Sequence, residues 1–545
     1  MIVLGIHDGH DAGAVLLKDG TAIAAVNEER LSRKKLTCGF PEQAIRSVFE
    51  ISGVSKQDVD SVSVASVMTP PFLLRLSNKG YRRSRSGMSA FSYRLWWYEL
   101  YQAAGRRFMP IRTIESFLTR HLYTYRLRRL GFRCRLTLTE HHRCHALAAA
   151  SGGKALVVCL DHVGDGISTT VWIADKNAIR CIFEQGIGSS TGRFFAELTE
   201  MAGLVPGKDE GKLCALAAYG GSDGYAAMVN EMLSCRQGGF LVRSRRSEVN
   251  DRPALARAAQ RHLEREVLKF VRYWMGKTGA GRLALSGGVF ANVKLNGRIA
   301  EIVPELYVFP HMGDGGLAYG AGCSPEPGKM LRNLFLGPEY SDEEIWSALR
   351  SAGLMGKKER DIEEKIAVML SRGRAVCRFA GRMEYGPRAL GNRSVLCQAT
   401  DPDARKWLNA KLRRPEYMPF SPATLKEYAD KCYIGINSAR QPAEQMAVAF
   451  DCTRWMRQKS PGAVHVDGTA RPQIVTWERC PGLHRILSSY LRMTGLPSVI
   501  NTSFNVHEEP IVCSPRDAVG AFMQSGLDAL AIGKYIVTRD GRPAL

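Results

Sequence analysis

The chain has 545 residues, with 75 Lys and Arg against 53 Asp and Glu, a formal net charge of +22. That length is more than one core sustains and implies two or three domains, while 45% apolar and 23% charged residues exclude a mainly disordered chain. The cation excess predicts a surface that attracts phosphates, nucleic acid or anionic membranes, and 14 cysteines without a CxxC pair exclude a zinc ribbon or a secreted disulfide framework.

The opening MIVLGIHDGHDAG carries acids and histidines where a signal peptide has a basic flank and an apolar run, so a cytoplasmic protein is expected. Residues 2–28 read as strand IVLGI, polar loop HDGHD, strand AGAVLL, turn KDG and strand TAIAAVNEE. From Arg75 to Arg135 basic residues interleave with aromatics. This stretch, an insertion over about 70–133, reads in two ways: a nucleic-acid or membrane-surface segment, or helices whose Trp96, Trp97 and Tyr98 pack on the body while arginines face water. RLTLT then alternates like a strand, and HHRCHALAAA favours helix. His141 and His145 are four apart, which on a helix places both imidazoles on one face. Such a pair is a capping or surface feature unless acids elsewhere join it, in which case it has metal-ligand spacing.

Residues 155–185 repeat the opening plan: ALVVCL, loop DHVGDG, ISTTVWI, turn ADKN, AIRCIFEQ. Two such units are the layout of the actin-like and sugar-kinase-like ATPase fold, where facing Asp/Gly loops hold phosphates through backbone N–H groups. Ala259, Leu263, Val267, Phe270 and Trp274 form a helical stripe assigned to the core. GRLALSGGVFANVKLNGRI and VFPHMGDGGLAYGAG are each a strand, a Gly-rich turn and a helix-compatible run that suits an anion. Rising Pro, Gly and acid content places a domain boundary near 325–345, and the motifs beyond it, GRMEYGPRALGNRS, HVDGTARPQIV and INTSFNVHEEPIV, are rich in Arg, Asn, Ser and Gly.

With these motifs in order (GHDAGAVLLKDG, EERLSRKK, HHRCHA, LDHVGDG, EGKLCALAAYG, LSGGVFANVKLN, MGDGGLAYGAG, GRMEYGPRALGNRS, MPFSPA, DGTARPQIV, NTSFNVHEEPIVCSP), the chain resembles the O-carbamoyltransferases of the nodulation-factor and antibiotic type, tobramycin and cephamycin carbamoyltransferases among them. The likeness spans nearly the whole length except about residues 70–133. It departs at DHVGDG, where the family often has DGxGDG, at Glu508-Glu509-Pro510, and in KLRRPEYMPFSPA.

The resemblance implies an α/β protein: a duplicated actin-like (ASKHA, ribonuclease-H-like) domain over 1–330, and a YrdC/Sua5-like α+β domain over 340–545. It implies that the C-terminal domain makes carbamoyl-adenylate from carbamoyl phosphate and ATP, with Mg accompanying ATP, and that the N-terminal domain transfers the carbamoyl group to a hydroxyl. The expected acceptor is a small molecule or saccharide, in one version anionic or lipid-linked with a peripheral membrane contact. Nucleic acid is not the expected partner. Two alternatives are a transferase acting on tRNA, of the threonylcarbamoyl type, and a non-catalytic ATP-dependent binding module.

The same likeness supplies residue roles. Asp161 and Asp314 would join His141 and His145 in a mixed N/O set that suits Fe(II), Mn(II) or Zn(II), with the family pointing to Fe(II). His142 points elsewhere and is left out. His10 would remove the acceptor proton, its ordinary pKa of about 6.5 suiting that task; His7 and Asp11 are weaker candidates. Lys35, or Lys34 in its place, and Lys212 would reach phosphate or the carbamoyl oxygen. Asp161, Gly164, Ser286, Gly287, Gly288, Asn292, Gly313 and Gly315 would lie against the nucleotide. Arg388, Arg393, Lys411 and Arg471 would neutralise carbamoyl phosphate and ATP, with Asn501, Ser503 and Asn505 as short polar partners.

Overall fold

The computed structural model describes residues 1–77, 99–150, 153–175, 178–506 and 508–539. They divide into two compact units, Met1–Leu331 and Arg332–Leu545. Trp96, Trp97 and Tyr98 lie outside the described residues.

In the first unit, alternating apolar residues form strands β1 (Ile2–His7), β2 (Gly13–Lys18) and β3 (Thr21–Asn27). The β2–β3 hairpin turns at Asp19 and Gly20, both at positive φ, the geometry a two-residue turn between twisted strands requires. Strands β4 (Ser61–Ala65) and β5 (Arg135–Thr139) add in parallel, giving the order β3-β2-β1-β4-β5. The plan then recurs. Strands β6 (Ala155–Gly164), β7 (Ile167–Ala174) and β8 (Ile179–Gly186) form an antiparallel meander. After a separate ribbon of β9 (Leu233–Arg236) and β10 (Gly239–Val242), β11 (Arg282–Ser286) and β12 (Glu305–Val308) add in parallel, in the order β8-β7-β6-β11-β12. The duplication read from residues 2–28 and 155–185 is therefore present in strand order and direction alike.

One local expectation changes. DHVGDG is mostly strand, because β6 continues to Gly164 with an irregular register after Leu160 and closes on Ile167 through Asp165 and Gly166, both at positive φ. The apolar stripe lies on helix Arg252–Thr278, capped by Asp251, with Ala259, Leu263, Val267, Phe270 and Trp274 all buried. Two glycines set close approaches. A Cβ on Gly320 would stand 1.9 Å from the Cys144 carbonyl oxygen, so this glycine lets helix Leu317–Cys323 press on helix His141–Ala149. Gly287, at φ 103°, likewise meets the Leu160 carbonyl, next to Asp161.

The second unit is built on an eight-stranded mixed sheet. Its strands are β13 (Lys357–Lys358), β14 (Val376–Phe379), β15 (Arg393–Cys397), β16 (Ser421–Leu425), β19 (Gln473–Val475), β20 (Ser498–Ser503), β21 (Ala529–Ile532) and β22 (Tyr535–Thr538), in the order β13-β22-β21-β14-β15-β20-β16-β19. Strands β17 (Phe450–Asp451) and β18 (Thr469–Ala470) pair separately. Helices Ile362–Ser371 and Pro481–Thr494 place Ile366, Leu370, Ile486 and Leu487 in one buried cluster with Val376, Leu396 and Val499 of the sheet. Each such side chain contributes about 1.5–3 kcal/mol by leaving water. Both units are thus mixed α/β. No helix among the described residues is long and apolar enough to cross a membrane.

Candidate active site

Helix His141–Ala149 begins where β5 ends, and its first turn is capped by the Glu140 carboxylate, which accepts from the N–H groups of His142 and Arg143 at 3.1 and 2.8 Å. The Asp165 carboxylate braces the same turn. It accepts from His141 N (3.0 Å), Val67 N (2.9 Å), Met68 N (2.7 Å) and the Thr69 hydroxyl (3.1 Å), tying the β4 exit to the β6–β7 turn. Sequence reading passed over Asp165; the only signal for it was its place in the GDG turn.

The helix fixes the direction of both imidazoles. His141 Nδ1 lies 2.9 Å from the Ser66 hydroxyl and His145 Nδ1 3.1 Å from that of Ser286. With those nitrogens engaged, both Nε2 atoms turn to one point, where Asp161 from β6 and Asp314 from the loop after β12 meet them. His141 Nε2 is 3.2 Å from Asp161 Oδ2 and 3.6 Å from Asp314 Oδ1; His145 Nε2 is 3.8 and 3.6 Å from the same atoms. The ligand atoms of all four residues lie within 4.8 Å of one another. Four donors each about 2.1 Å from one cation stand about 3.4 Å apart in a tetrahedron, so the His–Asp distances of 3.2 to 3.8 Å are near that spacing and the set would close on a metal ion by a small contraction. His145 Nε2 is buried and makes no hydrogen bond, an orphan that a cation would satisfy.

The electrostatics agree. Burial opposes ionisation of Asp161, but the hydrogen bond from His141 and the adjoining His145 imidazole hold its carboxyl well below the usual carboxylate range. Burial pulls His141 down, yet the Asp161 bond and the Asp314 charge push it up to about 9. His142 is turned away, with Nδ1 3.2 Å from the Thr170 hydroxyl and Nε2 3.1 Å from the Ile167 carbonyl, and burial pushes it well below its ordinary value.

Around this cluster the expected nucleotide residues divide. Gly288 N donates to Asp161 Oδ1 at 3.1 Å, and Gly164 lies flat on the His141 ring, where a Cβ would come within 2.1 Å. Gly313 and Gly315 flank Asp314, and a Cβ on Gly315 would strike Asp11 and His311. Ser286 is buried and engaged with His145. Asn292 caps helix Val293–Ala300 through Leu295 N (3.1 Å) and exchanges hydrogen bonds with Gln260, which accounts for its side chain within the fold. Lys212 pairs with Asp209 at 2.8 Å, and Lys34 and Lys35 both lie exposed in the turn after helix Glu28–Ser32.

His10 is half-buried in the β1–β2 loop, where its carbonyl lies 3.1 Å from His7 Nε2. That loop is anchored by a buried ion pair between Asp8 and Arg75, 3.1 Å apart. Arg75 also donates to the carbonyls of Ser66, Val67 and Thr69 and stacks over Tyr123. Asp11 sits at φ 59° against the Gly315 turn, and burial, with Glu29 nearby, raises its carboxyl well above the ordinary range.

In the second unit the GPRALGNRS loop is organised by Glu384, whose Oε1 accepts from Leu390 N, Asn392 N and Arg393 N at 2.8, 2.8 and 3.1 Å. Arg393 departs from expectation. Its fully buried guanidinium donates through both terminal nitrogens to the carbonyls of Ala380, Gly381, Asn392 and Pro338 and lies 3.7 Å over the Phe379 ring, so these two nitrogens brace the loop. Asn501 is likewise internal, donating to Gln473 Oε1 at 2.7 Å. Lys411 lies over Trp407, Arg388 is half-buried, and Arg471 Nε donates to the Ser421 hydroxyl at 2.9 Å.

The arginine that sequence reading missed is Arg414. It donates to the Thr502 hydroxyl (2.6 Å), to the Ser503 carbonyl and hydroxyl (3.0 Å each) and to Asn505 Oδ1 (3.1 Å). Part of its surface stays open, yet the surrounding protein alone lowers the guanidinium to about 10, with no carboxylate among the causes. Ser503 and Asn505 therefore belong with a cation whose charge no acid among the described residues balances, which is the electrostatic setting of an anion site.

Two domain profiles cover most of the chain: that of the carbamoyltransferase N-terminus matches residues 2–323 and that of the carbamoyltransferase C-terminus residues 367–539. The chain belongs to the carbamoyltransferase family and is an enzyme of that class, which displaces the reading as a non-catalytic binding module. It is 31% identical to the uncharacterized protein MJ1051 of Methanocaldococcus jannaschii, over 99% of this chain and 100% of that protein. It is 28% identical to nodulation protein NolNO of Sinorhizobium fredii, over 97% and 79%. Among solved structures it is similar to component A of the (R)-2-hydroxyglutaryl-CoA dehydratase of Acidaminococcus fermentans, with 13% identity, a TM-score of 0.32, and coverage of 59% of this chain and 96% of that one.

Proposed function

We propose that this carbamoyltransferase is an ATP-dependent O-carbamoyltransferase with two separate chemistries. The first unit acts as an actin-like transfer domain, and the second as a YrdC/Sua5-like domain that forms carbamoyl-adenylate. The observation that carries this reading is the convergence of His141, His145, Asp161 and Asp314 from three separate elements, with each imidazole oriented by a serine.

In the second unit carbamoyl phosphate, ATP and one water give carbamoyl-adenylate, phosphate and pyrophosphate. Arg414, Arg388 and Arg471 would hold the anions, and Ser503 and Asn505 would orient the Arg414 fork. Adenylation is needed because nitrogen donation makes the carbamoyl carbon a poor electrophile, and AMP is a good leaving group.

In the first unit His141, His145, Asp161 and Asp314 would hold a divalent cation, Fe(II) by the resemblance, which would supply positive charge to offset the negative charge of an adenylate. Gly288 and Gly313 line the adenylate with backbone. His10 takes the acceptor proton as the acceptor oxygen bonds to the carbamoyl carbon and the bond from that carbon to the AMP oxygen breaks. Arg75 and Asp8 hold the loop that carries His10. The acceptor is a small-molecule or saccharide alcohol.

The test is to supply carbamoyl phosphate, ATP and Mg, follow pyrophosphate, and screen hydroxylated metabolites for carbamoyl addition by mass. Pyrophosphate release that needs carbamoyl phosphate is the expected result. Its absence would overturn the adenylate route while leaving the family assignment intact.

A further inference from the structure

Helix Met109–Arg129 has its polarity reversed for a helix that only covers the protein. Its buried residues, Glu115, Thr119, Tyr123 and Leu127, recur every fourth position, so the inward face opens with an acid and a hydroxyl. Ile114, Phe117, His121 and Tyr125 recur at intervals of three and four and occupy the opposite face. Ile114, Phe117 and Tyr125 are 59%, 60% and 60% exposed. Phe108 and Met109 extend the apolar surface at the start of the helix, and Leu73 and Leu76 are exposed on the adjoining short helix Phe72–Ser77.

Charge is sorted in the opposite sense. Residues 72–77 and 99–135 hold ten arginines and two acids, and both acids are buried. Glu115 accepts from Phe72 N and Tyr101, while Glu99 faces His162 and Arg193. Arg107, Arg120, Arg128, Arg129 and Arg133 are exposed, and Arg129 lies over the Tyr125 ring. The outward surface of this segment therefore combines aliphatic and aromatic side chains with positive charge and carries no carboxylate among the described residues.

We infer that this surface docks on an anionic membrane, with the apolar face of Met109–Arg129 lying in the headgroup layer and the flanking arginines meeting lipid phosphates and carboxylates. A nucleic acid would use the arginines and rings but gain nothing from Ile114, Met109 and Leu73, which the acyl boundary takes up. No helix among the described residues is long and apolar enough to span, and the inferred contact is a peripheral one. The inference is independent of the adenylate route: it needs neither ATP, carbamoyl phosphate nor a bound cation.

The experiment is flotation of the full-length chain with vesicles of phosphatidylcholine alone or mixed with phosphatidylserine. Binding should require the anionic lipid and weaken with salt. Ile114→Glu with Phe117→Glu should weaken partition at least about tenfold, and Arg128→Ala and Arg129→Ala about fivefold each. Phe117→Leu should retain binding, since burial of apolar area and not a specific ring contact is at work. Unchanged melting temperatures would show that these exposed substitutions leave the fold intact. No flotation by the wild-type chain, equal flotation on neutral vesicles, or charge-bearing variants that float as well as wild type would overturn the inference. So would salt-sensitive binding to single-stranded RNA without vesicle binding, or a dimer that Phe117→Glu dissociates.

Discussion

Two polar centres of this chain differ in how their charge is balanced. In the first unit two carboxylates face two imidazoles, and each group shifts the other: Asp161 is held ionised and His141 is raised to about 9. In the second, Arg414 meets hydroxyls, a carbonyl and an amide oxygen and no acid among the described residues, and its guanidinium is lowered to about 10 by its surroundings. A set with ionised acids and neutralisable imidazoles suits a cation that displaces protons; a guanidinium without an acid suits an anion. The difference is the one expected between a cation site and an anion site, and it supports the proposed division of the two chemistries.

The largest effect should come from removing one charge of the balanced set. Asp161→Asn is expected to lower bound metal to background and carbamoyl transfer by more than about 100-fold, with pyrophosphate release retained. Metal analysis beside a pyrophosphate assay reads both, and a joint loss in a folded variant would erase the division between the centres. Next, one substitution at two arginines should have unlike consequences. Arg75→Met strands the buried Asp8 carboxylate and should cost about 3–5 kcal/mol in urea unfolding. Arg414→Met strands no acid and should change stability by less than about 1 kcal/mol while slowing pyrophosphate release about 100-fold.

A pH dependence of stability should come from His7 in the first unit. Burial holds His7 down to about 4, so between roughly pH 6.5 and 4 the unfolded chain binds a proton that the folded chain refuses. The stability present above pH 6.5 is lost as pH falls through 4, by about 3 kcal/mol, and His7→Asn should flatten that loss. The smallest effect should be that of Ser286→Ala, which frees His145 to rotate: metal affinity falls about tenfold with unfolding shifted by about 1 kcal/mol.

How far the sequence disclosed this arrangement depends on whether a feature is local. The i,i+4 spacing of His141 and His145, the Asp-Gly hairpins and the repeated strand plan are local patterns and were legible. Asp161 and Asp314 reach the histidines only when β6 and β12 lie beside the helix, so short-range reading left the pair ambiguous and the family resemblance supplied the acids. Arg393 and Arg414 show the same limit with opposite outcomes. Both are arginines in polar, Gly- or Pro-rich stretches, and only the fold reveals that carbonyls engage one and NTSFN side chains surround the other. Ser286 and Asn292 look like ligand contacts in a Gly-rich run but complete the His145 bond and a helix cap.

The Asp165 carboxylate reaches back to Val67, Met68, Thr69 and His141, residues synthesised 24 to 98 positions earlier. A nascent chain emerging from the ribosome thus exposes the histidine helix before its clamp exists, and Asp314 follows about 150 residues later still. Assembly of the histidine and aspartate cluster therefore waits in vectorial synthesis for Asp314, and a cation captured before that residue emerges would have only the two imidazoles and Asp161 to hold it.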